Sequence, residues 1–174
     1  MLNVVLTGSE CTGKTTLARD LARGYGSVAS AEYARLYLEV KGPPLTADDV
    51  EPIARGQVAL EDDAREAARR VLFKDTDLLS TVVYARHYYG SCPGWIEAAC
   101  RRRLGQLYLL LHPDVPWVAD GGQRDRPGAR EELHGLFRQA LVDHGARFVD
   151  VKGSWSERRV SATAAVDRLL GEAG

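Results

Sequence analysis

The stretch that most limits what this chain can become runs from Gly8 to Thr15. It reads Gly8-Ser9-Glu10-Cys11-Thr12-Gly13-Lys14-Thr15 and satisfies every fixed position of G-x-x-x-x-G-K-[ST]. Gly8 and Gly13 permit backbone angles that a side chain would forbid. Successive N–H groups can then turn inward as an anion nest, at the positive end of the helix that follows. Lys14 is placed to reach the β- and γ-phosphates of ATP or a similar nucleotide, and the Thr15 hydroxyl to ligate Mg²⁺. The context fits: the apolar run Leu2 to Leu6 precedes the loop, and Leu17, Ala18, Leu21 and Ala22 recur at helical spacing after it. Cys11 reads as a small filler within the loop rather than a nucleophile.

Further along, strand-like and helix-like segments alternate. Strands are expected at 2–6, 28–31, 71–74, 107–111 and 147–151, and helices at 15–25, 32–40, 46–70, 78–89, 93–103, 131–144 and 156–170. Thr46 is the expected N-cap of the third helix, with Pro52 in its early turns as a source of a kink or a displaced start. Five strands separated by helices imply a parallel sheet covered on both faces, a three-layer α/β domain. A chain of 174 residues fits one such domain, 1–174, with a lid segment around 120–130 in the loop rich in Pro, Gly, Asp and Arg.

Net charge is -1, so neither nucleic acid nor a membrane surface is an expected partner. Three cysteines without metal-ligand spacing argue for a reducing compartment, and the cytoplasm is the expected location. No signal peptide or membrane span is read from the sequence.

A phosphate loop alone leaves the reaction open, so the other strand ends must decide it. They offer Glu32, Tyr33 and Arg35 after the second strand, Asp75 and Asp77 after the third, and Asp120, Arg124, Arg126 and Arg130 after the fourth. Phosphoryl transfer to a small hydroxyl acceptor needs such a set. One carboxylate orients the acceptor and takes its proton, another holds Mg²⁺, and arginines close over the transferring group. No N-K-x-D sequence is present and no Gly follows in the D-x-x-G manner, which argues against a GTPase.

The stretches Gly8 to Leu17, Glu32-Tyr33-Ala34-Arg35, Gly56-Gln57, Phe73-Lys74-Asp75-Thr76-Asp77 and Pro116-Trp117-Val118-Ala119-Asp120-Gly121, with Arg124 beyond, point further. In these stretches the chain resembles the ribosylnicotinamide (nicotinamide riboside) kinase domain of the bacterial NAD-biosynthesis regulator family. The resemblance implies the five-stranded P-loop fold of nucleoside and nucleotide kinases. It also implies transfer of the ATP γ-phosphate to the 5′-hydroxyl of nicotinamide riboside, giving NMN. It carries Thr16 into the nucleotide-contacting stretch and sets Glu32 and Arg35 against the riboside. Asp75 and Asp77 would line the acceptor and metal site, and Arg124 would belong to a mobile lid. The family's adenylyltransferase and DNA-binding domains find no counterpart, so their activities are not expected. Some members carry an aromatic residue before the Glu, where it could stack on nicotinamide. Here Ala31 stands there, and Tyr33, Tyr84 and Trp117 are the aromatic candidates to replace it.

The expected mechanism has Lys14, the loop amides and Mg²⁺ gripping the phosphates, with Thr15 on the metal and Asp75 or Asp77 behind it. Glu32 or Asp75 accepts the hydroxyl proton. The lid from Arg124 to Arg130 closes over the phosphates, with Arg126 among its nucleotide contacts. Adenine is expected near residues 153–158, with Arg158 or Arg159 stacked on it. The acceptor is a small molecule, nicotinamide riboside or a related nucleoside, and a homodimer is left open. The rivals are a kinase of another nucleoside or small metabolite, and a nucleotide-binding switch without catalysis.

Overall fold

The computed structural model of the protein describes residues 1–116 and 127–173. Its strands are β1 (Leu2–Thr7), β2 (Ala29–Ser30), β3 (Val71–Asp75), β4 (Leu107–Leu111) and β5 (Phe148–Val151). All pair in parallel, in the order β2-β3-β1-β4-β5. The helices are α1 (Lys14–Gly24), α2 (Tyr33–Lys41), α3 (Val50–Ala67), α4 (Leu78–Tyr89), α5 (Gly94–Arg102), α6 (Arg130–Asp143) and α7 (Trp155–Glu172).

The central strands are apolar on both faces because both faces are covered. Val4, Leu6, Phe73 and Leu109 pack against Leu17 and Leu21 of α1 and Val166 and Leu169 of α7. Val5, Tyr108 and Leu110 point the other way, toward Val82, Ile96 and Phe137 of α4, α5 and α6. This is the three-layer α/β architecture that the alternation implies, in the P-loop form of nucleoside and nucleotide kinases that the resemblance implies. Among the described residues, no helix is long and apolar enough to cross a membrane.

Two expectations about element ends change. The third helix begins at Val50, after a 3₁₀ turn over Ala47–Asp49 closed by a reciprocal Thr46–Asp49 capping box. Pro52 is therefore the third residue of α3, where its missing N–H would have had no intrahelical partner. Arg130, at the end of the expected lid segment, lies within a helix. It is the first residue of α6, is buried, and donates to the carbonyls of Pro113 (2.8 Å) and Val115 (2.9 Å).

Candidate functional site

The loop between β1 and α1 is shaped by its glycines. Gly8 has φ +128° and Gly13 φ +87°, and Cys11 between them also lies at positive φ, 53°. A Cβ on Gly8 would meet the Leu111 carbonyl oxygen at 2.6 Å, and one on Gly13 would meet the Trp155 ring at 2.9 Å. The Lys14 side chain curls back along this loop, and its Nζ donates to the carbonyls of Gly8 (3.0 Å) and Ser9 (2.8 Å). Thr12 closes the turn by donating to the Ser9 carbonyl at 3.0 Å. Thr16 is exposed on the first turn of α1.

Register brings the end of β3 beside the loop, because Leu6 pairs with Asp75. The Thr15 hydroxyl donates to Asp75 Oδ2 at 2.5 Å. Asp75 Oδ1 is buried and has no hydrogen-bond partner among the described residues. Burial pushes the Asp75 carboxyl up, with nearby Glu32 adding to it, while Lys14, Thr15 and Arg35 pull the other way. Glu32 thus stands within electrostatic reach of the phosphate loop. It is the N-cap residue of α2 but makes no side-chain capping bond. Arg35 Nε lies 3.9 Å from Glu32 Oε2.

Beside Glu32 a cleft opens between α2, α3 and α4, lined by Gln57, Thr76, Ser80, Tyr84 and Tyr89 among others. Its cavity volume is about 30 Å³, small beside the roughly 300–1,000 Å³ of small-molecule sites. Tyr84, one of the expected aromatics, lines this cleft from the edge of the core, and Tyr89 lines it too. A tyrosine at the last turn of an amphipathic helix carries no sequence mark that separates a cleft wall from a core edge.

Three expected site residues lie elsewhere. Tyr33 lays its ring against α3, where a Cβ on Gly56 would sit 2.1 Å from it. The Tyr33 N–H donates to Gln57 Oε1 at 2.9 Å, and Gln57 Nε2 reaches the Ala31 carbonyl at 3.5 Å. Gly56 and Gln57 thus clasp the segment that carries Glu32. Asp77 faces away from the phosphates. Thr76, at φ 68°, reverses the backbone between the two aspartates. Asp77 then caps α4 through the Leu79 N–H (3.0 Å) and accepts from Tyr108 Oη (2.6 Å). Burial and the charge of Glu61 push its carboxyl up to about 6. Its neighbourhood is a buried cluster that includes the Lys74–Glu61 pair at 2.7 Å. A lysine within an apolar strand was the sequence mark of that cluster.

Arg158 has no face to offer an adenine ring, because its side chain is fully buried. It donates to the carbonyls of Gly153 (2.9 Å), Thr12 (3.0 Å) and His112 (2.9 Å) and pairs with Asp114. Asp114 also accepts the Gly153 N–H at 2.7 Å. The exposed aromatic at this end of the fold is Trp155, at the start of α7 against Gly13. Trp117, Asp120, Arg124 and Arg126 lie outside the described residues.

A family model described as an AAA domain matches residues 3–158. The chain belongs to this family of P-loop domains. It is 29% identical to the trifunctional NAD biosynthesis/regulator protein NadR of Salmonella typhimurium, over 98% of this chain and 43% of that protein. It therefore spans less than half the length of the curated relatives it matches. A solved structure of NadR protein in complex with NR superposes with a TM-score of 0.80 at 28% identity, over 98% of this chain and 52% of that one. A second, of NadR protein in complex with NAD and AMP-PNP, gives 0.76 at 28% identity, over 98% and 49%. The resemblance drawn from the sequence motifs is thus met in both sequence and fold.

Proposed function

We propose that this domain is an ATP-dependent phosphotransferase that phosphorylates the 5′-hydroxyl of nicotinamide riboside, giving NMN. The observation that carries the reading is the placement of Glu32. It lines the cleft between α2, α3 and α4 and stands beside Asp75, which in turn holds Thr15 of the phosphate loop. Support for the acceptor comes from the likeness to NadR protein, solved in complex with NR. Support for the donor comes from the loop and from the likeness to the AMP-PNP complex.

The loop amides and Lys14 bind the β- and γ-phosphates. Thr15 and Asp75 suit Mg²⁺, since the orphaned Asp75 Oδ1 and the Thr15 hydroxyl form a hard oxygen pair beside the loop. When bound there, the ion neutralises charge on the phosphates. Asp75 is engaged by Thr15, so Glu32 is the group that orients the acceptor hydroxyl and accepts its proton. Arg35 offsets charge at the mouth of the cleft. Tyr84 and Tyr89 offer the aromatic surface that Ala31 does not. Trp155 takes the adenine side of the loop in place of Arg158.

The test is ATP-dependent formation of NMN by the purified domain, beside a panel of other nucleosides. Glu32→Gln and Asp75→Asn are expected to lower kcat by about 10²–10⁴-fold, with ATP affinity changed far less for Glu32→Gln. Transfer to other nucleosides but not nicotinamide riboside would move the acceptor assignment. Nucleotide binding without transfer to any acceptor would sink the phosphotransferase reading.

A further inference from the structure

Where β4, β5 and α6 meet, His112, His134 and Asp150 converge on one point. We propose that these three side chains bind a divalent transition-metal cation of the zinc type. Each offers one ligand atom, and the three atoms lie within 4.8 Å of one another. Tetrahedral zinc with ligands at 2.0–2.1 Å needs spacings of about 3.4 Å, so the widest pair must close by up to about 1.4 Å and the 2.8 Å His112–Asp150 pair open by about 0.6 Å. That is within a small rotamer adjustment.

The three residues come from three elements. His112 directly follows β4, and its N–H donates to the Val151 carbonyl at 2.9 Å. Asp150 lies on β5, paired with Leu110 of β4. His134 lies on the buried face of α6, between Leu133 and Phe137 of the core. His112 Nε2 and Asp150 Oδ1 are 2.8 Å apart, and the two imidazole rings are 4.2 Å apart between centroids.

His134 is the observation that separates a site from a polar cluster. It is only 8% exposed, and its buried Nδ1 has no hydrogen-bond partner among the described residues. A buried polar atom without a partner costs about 1–3 kcal/mol, and a metal bond would satisfy it. His112 and Asp150 are 26% and 35% exposed, which leaves a solvent side for a fourth ligand. Two imidazoles and one carboxylate suit zinc, nickel or cobalt rather than Mg²⁺ or Ca²⁺, which take oxygen ligands.

One group opposes the cation. Arg138, one helical turn beyond His134, pairs with Asp150 Oδ1. Its side chain is 42% exposed and lies over the Phe148 ring, so it can move outward along that face. The site therefore carries a built-in competitor, which gives the proposal a distinctive signature.

The whole chain, stripped with chelator and held in excess Mg²⁺ to cover the phosphate loop, is titrated with Zn²⁺ by calorimetry. One equivalent is expected, with affinity at least tenfold weaker in His112→Gln and in His134→Gln. Arg138→Gln is expected to bind more tightly, a gain that a merely structural role would not produce. Co²⁺ added to the wild-type chain should develop visible absorption of an imidazole-ligated, four-coordinate ion. This spectrum and His112→Gln decide the matter even if His134→Gln fails to fold. Equal Zn²⁺ titrations of wild type and His112→Gln, or a Co²⁺ spectrum unchanged from the aqueous ion, would overturn the proposal.

Discussion

At the scale of single residues, the phosphate loop depends on backbone that only glycine tolerates. Gly13 combines φ +87° with a Trp155 ring 2.9 Å from where a Cβ would stand. Gly13→Ala is expected to cost about 1–2 kcal/mol of stability from the left-handed backbone alone. Nucleotide binding should fall with it, because the amide nest and the Trp155 edge shift together. Thermal unfolding and nucleotide titration on the same protein measure both effects. Thr76 works in the opposite sense. A β-branched residue at φ 68° is strained, by an amount on the order of 1–3 kcal/mol. The reversal it makes sends Asp75 to Thr15 and Asp77 to the far face of the sheet. Two aspartates two positions apart look equivalent in sequence, and one backbone angle separates them.

At the scale of elements, α2 is held to α3 by contact with a missing side chain. The helix has no buried residue of its own; Tyr33 on Gly56 and the Gln57 amide fix the end carrying Glu32, while Tyr37 and Lys41 tie the rest of it to Asp49. Gly56→Ala places a methyl 2.1 Å from the Tyr33 ring and is expected to destabilise by about 1–3 kcal/mol. Acceptor KM should rise while ATP affinity stays level. Adding Tyr33→Ala should recover part of the stability and none of the KM, which a double-mutant cycle would read. The core elements themselves were legible. The helix 78–89 and the strand 107–111 fall where periodicity puts them, because strands covered on both faces must be apolar throughout. β2 was faint for a physical reason: only Ala29 and Ser30 pair. Glu32, Lys14 and Thr15 were legible from their positions at strand ends and in the loop. Tyr33 and Arg158 were not, since an aromatic or a cation beside a site looks the same in sequence whether it faces the ligand or holds the backbone behind it.

At the scale of the whole molecule, burying charge beneath the sheet makes stability depend on pH. Asp77 titrates near 6 in the fold, against about 3.9 for an unfolded aspartate. The folded value is the higher one, so protonation favours the native state. Its contribution is complete below about pH 4 and is lost as pH rises through about 6. Wild type should therefore lose on the order of 2 kcal/mol across that window that Asp77→Asn does not lose. Denaturant midpoints of the two proteins at pH 4 and pH 7 test the difference. Arg158 ties together segments that are far apart in the chain. From the last helix it grips the Thr12 carbonyl in the phosphate loop, 146 positions earlier. On a ribosome, the nucleotide loop would leave the exit tunnel well before the arginine that fastens it. Until residue 158 emerges, a nascent chain has its phosphate-binding residues but not the arginine that ties them to the last helix, so the loop is fully fastened only once α7 has begun to appear.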